Sequence, residues 1–223
     1  MGLDMRPMGK PKPGFEKRFK EIYEMINTNF IPKLTFFQKL QGKKQPTRED
    51  LLEEWFSIQS STYETIKAPR VGKDKIADEW ILKKYDSLDD KPNLNQFIKD
   101  LQGYYVIELA EEQDGVPVYI AWGQDENVFR GEFLNDCEGI ISEDLICEAW
   151  NSKLADDTLD YGNRLMLATD ELAKQYNLEY LKHQKNAPDF EEDSLDCKVH
   201  ILYSLANWLI FYGKNGHGYE ADF

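Results

Sequence analysis

Apolar positions recur at helical spacing over most of the chain and alternate near its middle. Phe15, Phe19, Ile22 and Ile26 follow at intervals of four, three and four, which sets them on one face of a helix over about 15–27. Ahead of them, Pro7, Pro11 and Pro13 with interspersed glycines predict an extended arm over 1–14. A loop follows near Gly42–Pro46. Thr47 and Asp50 then form the two ends of a capping box in acidic form, and Leu51, Leu52, Trp55 and Phe56 supply the inner face of a second helix. Asp74 opens a third, with Ile76, Ala77, Trp80 and Ile81 inside. Asn93–Leu101 is a short fourth.

The period then changes. Tyr104–Leu109 and Val116–Trp122 are rich in β-branched and aromatic residues, and Asp114-Gly115 lies between them. Alternation sets Tyr105, Ile107 and Leu109 on one face and Val118, Ile120 and Trp122 on another, which predicts a β-hairpin over about 104–122. Pro117 cannot donate to a ladder, so the second strand starts or is edge-exposed there. Two strands alone are marginally stable. A third is expected near Val128–Phe129.

Helical spacing then returns. Ser142 caps a helix to Trp150; Tyr161, Leu165, Ala168, Leu172 and Tyr176 line a longer one over about 158–176. A polar acidic loop, 184–193, precedes a last helix over about 195–212, with Gly213 placed for a left-handed cap. That helix is apolar around most of its circumference, which predicts a central position. The sum is a mainly helical α+β fold: about six to seven helices around a small antiparallel sheet centred on the hairpin, with 15–223 as one globular domain.

Charge changes this picture. The 223 residues carry 27 basic and 41 acidic side chains, a net charge of −14. Residues 1–46 hold ten basic and four acidic residues. Glu132–Asp196 holds seventeen acids against five bases. Such a body repels nucleic-acid phosphate and attracts basic partners. The most apolar stretch, Val199–Tyr212, is too short and too polar to span a bilayer. The opening residues hold no signal-peptide core. Arg6 breaks the myristoylation pattern after Met-Gly, and Cys137, Cys147 and Cys197 are no disulfide framework, so a cytoplasmic protein without membrane contact is expected.

Three constellations could carry chemistry. On the last helix Cys197, His200, Ser204 and Asn207 share one narrow face, either the polar wall of a site, with His200 as acid–base, or a plain polar seam. Near the end, His217 between two glycines could pair with Glu220, unless the segment is a loose tail; Tyr219 and Phe223 argue that it docks. Tyr63, Lys67 and Arg70 make a basic loop, with Arg130 a lone counterpart, suited to an anion or to pairing with the acidic surface. No metal motif, nucleotide loop, nucleophile elbow or kinase signature occurs, so no metal and no cofactor are expected.

The leading expectation is therefore a binding protein, not an enzyme. Its concrete form is an inhibitor or immunity-type protein whose acidic surface covers a basic partner. The alternative is a small-molecule enzyme whose His/Arg-lined pocket acts on an anionic substrate. A third reading is a homo-oligomer joined through the hairpin edge or the N-terminal arm.

Overall fold

The computed structural model describes residues 2–35, 37, 40, 42, 44–112, 114–122, 127–188 and 194–223, with 117, 121 and 122 as backbone only. The sequence reading puts 15–223 in one body behind an arm of 1–14. The contacts divide the chain otherwise: the first eight residues join Thr62–Phe223 in one compact unit, and Gly9–Ser61 forms another.

The smaller unit pairs two helices, α1 (Glu16–Asn27) and α2 (Arg48–Ser57). A short antiparallel ladder between β2 (Lys10–Pro11) and β3 (Gln59–Ser60) closes it. Phe19 and Ile22 face inward from α1, Leu51 and Trp55 from α2, and Phe19 stacks on Trp55 with ring centroids 3.7 Å apart. The Thr47 box forms as read. Its hydroxyl accepts from Asp50 N at 3.2 Å, and Asp50 Oδ2 accepts from Thr47 N at 2.8 Å. Phe15 and Phe56, expected inside, are exposed, because a helix that meets a single neighbour buries only a narrow stripe.

The larger unit is α+β and mainly helical. Its helices are α3 (Thr62–Ile66), α4 (Lys75–Asp86), α5 (Leu94–Asp100), α6 (Glu143–Cys147), α7 (Ala155–Tyr176) and α8 (Leu195–Lys214). They surround an antiparallel sheet of β1 (Asp4–Pro7), β4 (Ile120–Trp122), β5 (Asn127–Arg130) and β6 (Tyr219–Asp222), in the order β4-β5-β1-β6. The expected hairpin at 104–122 is displaced to 120–130. Ile120 pairs with Phe129 and Trp122 with Asn127. The strand expected near Val128–Phe129 is thus present, as β5.

Residues 104–109 find other partners. Val106 N donates to Pro69 O at 2.7 Å, Val71 N to Tyr104 O at 2.8 Å, and Ile107–Leu109 close a 3-10 turn. Tyr104 and Val106 pack on Val71, Ala77 and Ile81, so the apolar run is satisfied locally without a hairpin mate. Pro117 opens a second 3-10 turn, Pro117–Tyr119, which leaves Val118 exposed; Gln113 of the expected turn lies outside the described residues.

The first residues are extended, but not as an arm. β1 is an interior strand, with Met5 opposite Phe129 on one side and Ala221 on the other. Leu3 and Met5 are buried, while Asp4 and Arg6 pair with Arg130 and Asp222 at 3.2 Å. Helix α8 is buried around almost its whole girth, as its sequence predicts, with Trp208, Leu209 and Tyr212 fully enclosed. It crosses α7 closely where glycine removes the side chain. A Cβ on Gly162 would stand 2.8 Å from Leu209 Cβ, and one on Gly213 would stand 2.7 Å from Leu159 N. Gly213 is therefore inside the helix rather than its cap; the left-handed residue is Gly216, at φ +84°. Among the described residues no helix is long and apolar enough to cross a membrane.

Candidate functional site

The polar stripe of α8 holds down a neighbouring turn. Helix α7 ends at Asn177, whose left-handed backbone (φ +59°) turns the chain into a 3-10 turn, Glu179–His183. Leu178 and Leu181 anchor that turn against Val199 and Tyr203. His200 and Asn207 then bond its end: His200 Nε2 is 2.9 Å from Gln184 O, and Asn207 Nδ2 donates to Lys182 O at 3.2 Å. His200 Nδ1 lies 3.0 Å from the Tyr119 hydroxyl. With Nε2–H donating to Gln184, Nδ1 accepts from Tyr119, so the ring is fully engaged as a neutral imidazole. Burial lowers its pKa, and the Gln184 carbonyl opposes that only in part. His200 is thus a core crosslink. The candidate role as acid–base gives way to a structural one.

His217 is corrected in the same way. The flexible, accessible histidine expected of a Gly-His-Gly tail is fully buried, with Nδ1 2.9 Å from Met8 O and Nε2 2.5 Å from Thr65 Oγ1. Glu220 alternates to the opposite, exposed face of β6, so the proposed His–carboxylate pair does not form. The tail docks, as Tyr219 implied: its ring is buried and its hydroxyl donates to Ala149 O at 3.2 Å.

The basic loop resolves into separate arrangements. Tyr63 stacks on Tyr105 at 4.7 Å, and the Arg70 guanidinium lies 4.8 Å from the Tyr105 centroid while its Nε donates to Gly103 O at 2.7 Å. Tyr63 and Arg70 therefore do meet, through Tyr105, as a packed column. Lys67 is exposed on a left-handed backbone (φ +53°) just beyond α3. Arg130 is held by Glu132 at 2.8 Å and Asp4 at 3.2 Å. None of these positions, nor His200 or His217, lines the cleft beside α8. Among the described residues no group of three His, Cys, Asp or Glu side chains is placed to hold a metal ion.

That cleft, of about 350 Å³, opens beside the α8 stripe, between its second half, the turn ending at Gln184–Lys185, and Glu112, Gly115 and Val116. Ser204 and Asn207 line it, so two members of the stripe do face a concavity. The basic lining was missed: Lys182, His183, Lys185 and Lys214. Lys182 is neutralised by Asp170, at 2.7 and 2.9 Å. His183, Lys185 and Lys214 make no ion pair with a described residue. The signal was legible as a local inversion of sign, Lys182-His183-Gln184-Lys185, inside the most acidic stretch of the chain.

Asp114, the neighbour in sequence of the cleft-lining Gly115, is a buried carboxylate. Its Oδ2 accepts from the Tyr212 hydroxyl at 2.5 Å and from Asn127 Nδ2 at 3.2 Å, and Asn127 O accepts from Trp208 Nε1 at 3.3 Å. Burial pushes its pKa up to about 6, although the hydrogen bonds from Tyr212 and Asn127 pull the other way.

The acidic surface is the other feature. Between Glu132 and Asp160 nine acids face one base, Lys153. The elements that carry them are pinned from beneath: Leu134, Cys137, Ile146, Ala149 and Tyr161 lie in the main core. Arg164 clamps Glu148 (2.5 and 2.8 Å) and Asp160 (2.7 Å), joining the end of α6 to the start of α7. Asp136, Glu138, Glu143, Asp144, Asp156 and Asp157 are exposed and make no ion pair with a described residue. Residues 189–193 of the expected acidic run lie outside the described residues. No family model, curated protein or solved structure matches this chain.

Proposed function

We propose that this protein is an acidic binding protein, of the inhibitor or immunity kind, whose carboxylates over Glu132–Asp160 meet a basic surface on a partner protein. The observation that carries this reading is the six exposed acids of that segment that make no ion pair with a described residue, set on elements that also supply the hydrophobic core. Carboxylates displayed on a packed scaffold lose little conformational freedom on association. Their summed field accelerates encounter with a positive surface and opposes nucleic acid.

The enzyme alternative draws less support, since His200 and His217 are engaged inside the core and Arg130 is neutralised by its own neighbours. The test is capture on the immobilised full chain from an extract of its native host, at about 50 and about 300 mM salt, a range over which exposed charges become screened. A parallel capture uses the charge-reversed variant E143K/D144K/D156K/D157K. The reading expects a basic protein bound by the wild type at low salt, released at high salt and absent from the variant. Identical captures by wild type and variant would overturn it.

A further inference from the structure

The cleft beside α8 is lined by three lysines and His183 against one carboxylate, Glu112, and two of the lysines make no ion pair with a described residue. Lys185 and Lys214 approach the cleft from different elements, the chain after the 179–183 turn and the last turn of α8, and His183 adds a third nitrogen-bearing side chain. All three are exposed and make no ion pair with a described residue, whereas Lys182 beside them is held by Asp170. Lys185 and Lys214, two ammonium groups without an ion pair to a described residue, thus flank one cleft together with the His183 ring, an arrangement that suits negative charge from outside.

The rest of the lining narrows its chemistry. Ser204 and Asn207 add hydroxyl and amide groups, while Val116, Ile210 and Phe211 contribute apolar wall. The charged lining is Lys182, Lys185 and Lys214 against one carboxylate, Glu112, and it holds no arginine. Planar carboxylates are matched best by the arginine fork, whereas the ammonium group acts as a point charge suited to the compact, doubly charged phosphate. The volume, about 350 Å³, lies at the small end of the range for ligand pockets. We infer that this cleft binds a small phosphomonoester, with the phosphate between Lys185, Lys214 and His183 and an apolar or ring-bearing body along Ile210 and Phe211. The inference is independent of the acidic face, which lies on other residues.

The chain has three histidines, so their ring signals are a compact readout. The experiment follows them by proton–nitrogen NMR on the full chain as phenyl phosphate or AMP is added, against benzyl alcohol, adenosine and benzoate. Saturable movement of the His183 signals with both phosphates, a silent His217, and no saturable effect of the three controls are expected. K185A/K214A should weaken phosphate binding by about tenfold or more, because two charge-assisted contacts are lost. K174A, which removes an equally exposed lysine on α7, should leave it unchanged. No saturable shift with either phosphate would overturn the inference. So would benzoate binding as tightly as phenyl phosphate, or equal losses in K174A and K185A/K214A.

Discussion

Asp114 stores a pH dependence of stability in a single carboxyl group. Its folded pKa, about 6, is raised above the ordinary 3.8 by burial. The folded state therefore binds this proton more tightly than the unfolded state does. The associated stability is complete below 3.8 and is lost as pH rises through about 6. Asp114→Asn keeps an acceptor for Tyr212 and removes the buried charge. Urea unfolding at pH 7.5 should show it more stable than wild type by on the order of 2 kcal/mol, with the advantage vanishing near pH 4. His217 makes the converse case. His217→Ala would leave Met8 O without its donor and open a cavity under Thr65, at a cost of about 2–4 kcal/mol by the same assay. Of the candidate residues, sequence placed Ser204 and Asn207 on a common face correctly. It could not place His200 and His217, whose partners Gln184, Tyr119, Met8 and Thr65 lie on other segments. Periodicity reports which way a side chain points, not what it meets there.

Helices were more legible than strands, for a reason of range. The helices α1, α2, α4, α5, α7 and α8 announce themselves through spacing and caps that lie within their own sequences. The strands are two to four residues long and, apart from the local pair β4–β5, find partners far along the chain. β1 did carry a period-two signal, Leu3 and Met5 inside against Asp4 and Arg6 outside, but the neighbouring prolines argued for an arm. Tyr104–Leu109 misled because an apolar, β-branched run suits any buried extended segment, and here it serves α4. The α7–α8 crossing yields a prediction with an inverted sign. Gly→Ala inside a free helix stabilises by about 1 kcal/mol. At Gly213 the new methyl would meet the backbone of Leu159 at 2.7–2.8 Å, so Gly213→Ala should destabilise by about 1–3 kcal/mol, read as a lowered midpoint in urea.

Over the chain as a whole, the exposed acids within 132–160 and the lysine-lined cleft beside α8 lie on different residues, which predicts opposite responses to mutation. Reversing the acids should abolish salt-sensitive capture of a basic protein and leave phosphomonoester binding in place. K185A/K214A should do the reverse. Net charge was legible at once. The cleft was not, because it gathers Glu112, Gly115 and Val116, then Lys182–Lys185, then Ser204, Asn207 and Lys214 from three stretches of chain.

The pairing of β1 with both β5 and β6 also governs the order in which the protein can be made. Of the four strands of this sheet β1 is translated first; it waits through more than a hundred residues for Asn127–Arg130, and its other flank stays open until Tyr219–Asp222 has been translated. Late closure of so distant a contact is slow and leaves hydrophobic Leu3 and Met5 uncovered meanwhile. A nascent chain arrested short of residue 219 should remain sensitive to protease at its first residues, while one extended past 222 should resist.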